Sequence, residues 1–75
     1  MRIISQNGEV DIPYINSVIR QYGSKIEALN RGIYFTLGVY ENKDEAAAVM
    51  RFIRGSYLRD KKLYKMPSQE EVTNG

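Results

Sequence analysis

The chain of 75 residues contains neither Cys nor His, so it lacks the disulfides and metal sites that often stabilise small domains. Disulfides need Cys, and zinc and most transition-metal sites need Cys or His ligands. A chain of this length buries roughly 60% of the surface that its unfolded form exposes, which leaves a marginal core. We therefore expect one domain without metal or cofactor, stabilised by an idealised core, by self-association, or by both.

The dipeptide Asn7-Gly8 is the strongest turn signal near the start of the chain. Both residues tolerate the positive φ of a type I′ turn, which joins two antiparallel strands. Closing the hairpin there pairs Ile3 with Ile12. Pro13 cannot donate a ladder hydrogen bond, so the second strand ends there or lies at a sheet edge.

A second hairpin is predicted at Gly23-Ser24, because Gly at the first loop position suits a type II′ turn. Its register places Arg20 directly opposite Glu27, a favourable cross-strand pair.

Residues 33–40 predict a fifth strand, because the apolar Ile33, Phe35, Leu37 and Val39 alternate with Tyr34, Thr36, Gly38 and Tyr40. A connection with an even number of residues before it places Phe35 on the face of Ile26 and Ala28, and a one-residue slip would reverse that face. The predicted core face of the sheet consists of Ile3, Val10, Ile12, Ile19, Ile26, Ala28, Phe35, Leu37 and Val39.

After residue 40 the apolar period changes to that of a helix, with Asn42 as N-cap and Glu45 three residues later. The predicted buried stripe of this helix is Ala46, Val49, Ile53, Tyr57 and Tyr64. The stripe favours a helix that passes through Gly55 and frays after Arg59. Pro67 ends any helix, and the polar residues beyond it indicate a disordered tail.

These elements predict an α+β fold, a five-stranded antiparallel β-meander with one C-terminal helix packed on one face. The domain is expected to cover residues 1–66 in the order β-β-β-β-β-α, with residues 67–75 as the tail.

One helix covers only one face of such a sheet, and the second face is unusually apolar for a solvated surface. Its predicted binding residues, with Arg31 nearby, are Val18, Arg20, Leu29, Arg31, Tyr34 and Tyr40. Because an isologous pair would bury the same row on both subunits, we expect a homodimer or a higher closed oligomer. Leu29 and Tyr34 should then lie between subunits or against a target.

Residues 51–65 hold six of the eleven basic residues and only one acid. A basic helix face of this kind is typical of phosphate contacts, so the alternative function is that of a nucleic-acid-binding regulator. Its candidate contacts are Arg51, Arg54, Lys61, Lys62 and Lys65.

The sequence gives little support for catalysis. It lacks the partners for a Ser-His or Cys-His pair, and neither phosphate-cradling glycine motif is present. Glu9 and Asp11 lie two apart and would share one strand face, where a carboxylate pair can hold Mg²⁺ or exchange protons, but a solvated hairpin tip is by far the simpler explanation. We therefore expect a non-enzymatic protein.

No apolar run is long enough to span a membrane, and the first residues contain no apolar signal-peptide region. The expected location is the cytoplasm.

Residues 3–8 (Ile-Ile-Ser-Gln-Asn-Gly) and 11–14 (Asp-Ile-Pro-Tyr) resemble the opening of short proteins from phages and prophages of Gram-positive bacteria. The helix that begins after Tyr40 with Asp44, Glu45 and Ala46 is also similar, and the resemblance covers most of residues 2–59. It implies no catalytic residues. It implies a setting, the cytoplasm of a host cell, in which small accessory proteins block a host defence protein or sequester a nucleotide signal.

Overall fold

The computed structural model describes residues 1–74, which form six strands and two helices. The elements in chain order are β1 (Arg2–Ile4), β2 (Asp11–Pro13), β3 (Val18–Tyr22), β4 (Lys25–Asn30), β5 (Ile33–Val39), α1 (Lys43–Leu58), β6 (Leu63–Lys65) and α2 (Gln69–Asn74). The strands lie in a first sheet of order β2-β1-β6 and a second sheet of order β3-β4-β5. The predicted α+β class is confirmed, but the single five-stranded meander with one helix is wrong.

The hairpin β1–β2 has the predicted register, with Ile3 opposite Ile12. Its turn is not the predicted type I′, because only Gly8 of the dipeptide has a positive φ, at 79°. Instead the Asn7 Oδ1 accepts hydrogen bonds from the Ser5 hydroxyl at 2.6 Å and from the Glu9 N–H at 3.0 Å. The asparagine therefore supports the loop through its side chain rather than through a left-handed backbone.

The second sheet follows the predicted registers closely. Arg20 lies opposite Glu27 in β3–β4, and the Gly23 φ of 61° fits the predicted type II′ turn. Asn30 pairs with Ile33, so the β4–β5 connection has two residues, an even count as expected. Both connecting residues have positive φ, 53° at Arg31 and 79° at Gly32, as a type I′ turn requires.

An irregularity in β5 changes which side chains reach the core. The register shifts between Ile26 and Glu27, so Gly38 pairs with Ile26 while Thr36 pairs with Glu27. Leu37 is the extra residue of this bulge, and the alternation reverses after it. Val39, predicted in the core, is 48% exposed, whereas Tyr40, predicted on the opposite face, is 4% exposed. A Cβ on Gly38 would come within 2.8 Å of the Tyr40 hydroxyl, so the glycine makes room for that ring.

Helix α1 begins as predicted, because the Asn42 Oδ1 accepts the Glu45 N–H at 2.9 Å. It passes through Gly55 and ends at Leu58, and Tyr57 stacks on Tyr14 with ring centroids 4.7 Å apart instead of entering the core. The helix residues that are buried are Ala46, Val49, Ile53 and Ser56.

Tyr64 was predicted on the helix and lies instead in β6. This strand runs parallel to β1, with Ile3 opposite Tyr64. Asp60 makes the reversal from α1, with a φ of 59° that an aspartate tolerates better than most residues.

The two sheets are joined by Gln6. Its backbone N–H donates to the Leu37 carbonyl at 2.7 Å, and its side-chain amide both accepts from the Val39 N–H and donates to the Val39 carbonyl. One side chain thus replaces a missing strand neighbour at the end of β5.

Residues 69–74, predicted to be disordered, form α2, and Gly75 lies outside the described residues. The helix is started by a capping box, in which the Ser68 N–H donates to Glu71 and the Glu71 N–H donates to the Ser68 hydroxyl. Gln69 donates to the Glu45 carboxylate and accepts from the Glu41 N–H at 2.7 Å, which holds α2 against α1. The shared core consists of Ile3, Ile12, Ile26, Ala28, Leu37, Tyr40, Ala46, Val49, Ile53 and Met66.

Candidate functional site

The second sheet turns one face away from α1, and we call it the outer face. The strand registers place its side chains in three rows: Val18, Leu29 and Tyr34; Arg20, Glu27 and Thr36; Tyr22, Lys25 and Val39. The first row is the one predicted from the sequence. The structure therefore brings together four of the six predicted binding residues, namely Val18, Arg20, Leu29 and Tyr34.

The first row is apolar and largely open to solvent. Val18 is 60% exposed and Tyr34 is 53% exposed, with the half-buried Leu29 between them. Tyr22, in the third row, is 65% exposed. Single exposed apolar residues are ordinary, but a contiguous group on a flat sheet is typical of an interaction surface.

Arg20 organises the middle of the outer face. Its guanidinium carbon lies 4.3 Å from the centroid of the Tyr34 ring and 5.5 Å from that of the Tyr22 ring, so it bridges two tyrosines by cation–π contact. The same guanidinium forms an ion pair with Glu27 at 2.9 Å. Because the charge is already paired, the aromatic surface presents no bare cation at its centre.

The other two predicted binding residues lie elsewhere. Tyr40 is buried because the β5 bulge turns it inward, and Val39 takes the outward position instead. Arg31 lies in the β4–β5 turn, at the end of the outer face. The sequence contains one hint of this exchange, since a glycine inside a strand often marks a bulge.

The buried Tyr40 and the half-buried Tyr64 lie close together where β5, β6 and α2 meet. The Tyr40 hydroxyl donates to the Pro67 carbonyl at 2.8 Å. Burial raises the pKa of Tyr40 well above its usual range, and the nearby Tyr64 and Glu71 raise it further. Burial, with a smaller effect of Glu71, raises the pKa of Tyr64 to about 12. Both phenols are structural groups at neutral pH.

The basic residues predicted for nucleic-acid contacts do not form one helical stripe. Arg51 and Arg54 are exposed on α1, while Lys61 and Lys62 lie in the connection to β6. The Lys65 ammonium belongs to β6 and donates to the Ser5 carbonyl at 2.7 Å and the Gln6 carbonyl at 3.0 Å. The extended helix on which this surface was predicted is therefore wrong, and one of its five charges is engaged in holding the sheets together.

The two carboxylates at the hairpin tip, Glu9 and Asp11, each accept hydrogen bonds from a different side chain instead of forming one site. Asp11 accepts from the Arg2 guanidinium at 2.8 Å, and Glu9 accepts from the Asn7 amide at 3.1 Å. Within residues 1–74 no three Asp or Glu side chains come together as a metal-binding group would require.

No helix in the described part of the chain is long and apolar enough to cross a membrane. Comparisons with protein-family models, with curated proteins and with solved structures found no match to this chain.

Proposed function

We propose that this is a non-enzymatic binding protein that acts by protein–protein contact through its outer face, and that in isolation a second copy occupies that face. The observation that carries the proposal is the exposed row of Val18, Leu29 and Tyr34 beside the paired Arg20. Leaving such a row in water forgoes roughly 25 cal/mol for each Å² of apolar surface.

The ion pair between Arg20 and Glu27 on the outer face favours a second copy of the chain as the binding partner. Burying an unpaired charge in an interface is costly, but Arg20 is neutralised by Glu27 on its own subunit. An isologous dimer would bring the apolar rows of two copies together without opposing bare charges there.

The resemblance to phage accessory proteins supplies the setting for this proposal. A small protein with one exposed apolar face is suited to bind and cover a surface of a host protein, including a defence protein. A second copy and the target would then compete for the outer face, and this competition would set the fraction of the target that is blocked.

Sedimentation equilibrium of the wild type and of Leu29→Glu tests the proposal. We expect the wild type to dimerise and the variant to be monomeric with an unchanged circular dichroism spectrum, because the substitution places an unpaired charge in the contact but not in the core. Leu58→Glu is the matched control, since Leu58 is 74% exposed on the far side of α1. A wild type that stays monomeric at high micromolar concentration, or equal effects of both substitutions, would overturn the proposal.

A further inference from the structure

A second candidate site lies between the two sheets, away from the rows of the outer face. It is an open cleft of about 560 Å³, whose walls include Arg2 and Asp11 from the first sheet and Asn30, Arg31 and Phe35 from the second. Asn16, in the β2–β3 connection, lies at its rim. Sites for small molecules span roughly 300–1,000 Å³, so the cleft has room for one small organic ligand.

The cleft carries a net positive charge with one cation left open. The Arg2 Nε donates to the Asp11 carboxylate at 2.8 Å and its Nη2 donates to the Asp11 carbonyl at 3.1 Å, so this guanidinium is fixed in place. Within residues 1–74 the Arg31 side chain is exposed and forms no ion pair. A ligand anion would therefore meet an unpaired guanidinium beside one that is already oriented.

The backbone around the cleft is held in an uncommon conformation. Three residues other than glycine have a positive φ in the described chain, and two of them line this cleft: Asn16 at 77° and Arg31 at 53°. Asparagine tolerates that region, but arginine gains no local hydrogen bond to offset its steric cost. The Asn30 amide braces the rim by donating to the Asn16 carbonyl and to the Ser17 hydroxyl. An arginine at a strained turn position points to a role for its side chain.

We propose that this cleft binds a free nucleoside monophosphate. Arg31 and Arg2 would hold the phosphate, since planar guanidinium groups match its oxygens in pairs. Phe35 offers an aromatic surface on which a base can stack. The Asn30 side-chain oxygen Oδ1 accepts no hydrogen bond from residues 1–74, so it is open to a donor on the edge of the base. This site goes beyond the proposed protein-binding role and does not depend on it.

Titrations followed by amide NMR shifts test the assignment, with AMP and GMP as probes and with adenosine, guanosine and inorganic phosphate as their separated halves. We expect saturable binding of at least one nucleotide, with shifts centred on Asn30, Arg31 and Phe35. Each half alone should bind at least tenfold more weakly, because each makes only part of the contacts. A 5′-phosphorylated RNA hexamer distinguishes a free nucleotide from an RNA end, and tighter binding of the hexamer would overturn the assignment to a free nucleotide.

Variants show whether binding uses the cleft. Arg31→Asn removes the cation while fitting the turn at least as well, so affinity should fall tenfold or more without loss of melting temperature. Phe35→Leu should weaken binding of the nucleotide but not of inorganic phosphate. Arg59→Gln, which removes an exposed charge at the end of α1, is the control and should change affinity less than twofold. Absence of nucleotide binding at millimolar concentration, or equal losses in Arg31→Asn and Arg59→Gln, would overturn the proposal while leaving the dimer untouched.

Discussion

The second sheet is built from neighbours in the chain, whereas the first sheet adds a distant strand, β6, to the local hairpin β1–β2. In the second sheet, β3, β4 and β5 follow one another through two-residue turns. In the first sheet β1 pairs with β6, and the Lys65 ammonium reaches the Ser5 carbonyl across 60 residues. A local pairing costs little loop-closure entropy, while a distant one needs compensation from buried contacts.

The compensation is visible in burial. The second sheet leaves its outer face open, with Val18, Tyr22 and Tyr34 more than half exposed. Around the first sheet, Ile3 and Met66 are buried completely or nearly so. Ile26, Ala28 and Leu37 on the inner side of the second sheet are buried as fully, so core packing stabilises both sheets. What distinguishes the second sheet is the apolar outer face that it leaves open for binding.

Among the changes that test this comparison, Met66→Ala should lower the free energy of unfolding the most. Met66 is 1% exposed, and its N–H donates to the Ile4 carbonyl, which continues the β1–β6 pairing. Truncating a buried Met to Ala costs about 2–5 kcal/mol, so urea unfolding should show a loss in that range. Met50→Ala, at a half-buried position on α1, should cost less. A loss below about 0.5 kcal/mol, the usual range for surface changes, would mean that the segment after α1 is not anchored.

The elements predicted correctly from the sequence are those specified by local chemistry. Gly23 marks a turn whose type sets the β3–β4 register, and Asn42 caps α1 as its side chain allows. Before β5, the alternation of apolar residues required an even connection, which the structure has. These signals depend on a few adjacent residues. They located the row of Val18, Leu29 and Tyr34 on the outer face.

The elements predicted wrongly depend on contacts that no short window contains. Nothing near Tyr64 indicates that it pairs with β1, and its position suits the helical stripe equally well. The bulge at Leu37 turns Tyr40 inward, where its hydroxyl donates to the Pro67 carbonyl, 27 residues further along the chain. The capping box of Ser68 and Glu71 was present in the sequence, but a six-residue helix forms only because α1 supports it.

Alkaline pH should weaken the junction between the two regions. Burial raises the pKa values of Tyr40 and Tyr64 above 10.0, so the folded state keeps protons that the unfolded chain releases there. Stability is therefore full below about pH 10 and falls as pH rises toward 12. We expect thermal melts to lose more than about 10 °C across this interval.

Removing each phenol checks that assignment. Tyr40→Phe and Tyr64→Phe should each flatten the alkaline part of the profile, and Tyr40→Phe should also cost stability at neutral pH through its lost bond to Pro67. Unchanged profiles in both variants would place these side chains on the surface, where the sequence had put Tyr40.

Truncation after Pro67 tests α2 alone. It removes the contacts of Gln69 with Glu41 and Glu45, together with the half-buried Val72. Net hydrogen bonds contribute about 0.5–1.5 kcal/mol each and these are partly exposed, so we expect a loss of about 1–2 kcal/mol in urea unfolding. Gln69→Ala in the full chain should reproduce part of it. A loss within about 0.5 kcal/mol would fit a detached tail instead.

The smallest effect on stability is expected at the β4–β5 turn of the second sheet, and it should be a gain in stability. Arg31 occupies the first position of the β4–β5 turn with a φ of 53°, next to Gly32, where Asn-Gly is the preferred pair. Arg31→Asn should therefore raise the free energy of unfolding by about 0.5–1 kcal/mol, since it relieves left-handed strain. Arg51→Asn makes the same change on the exposed face of α1 and should cost a few tenths of a kcal/mol, because Asn is a poorer helix former. Opposite signs in urea unfolding separate the backbone effect from the loss of charge. Two losses would mean that Arg31 contributes to folding, and the strained turn would then need no ligand to explain it.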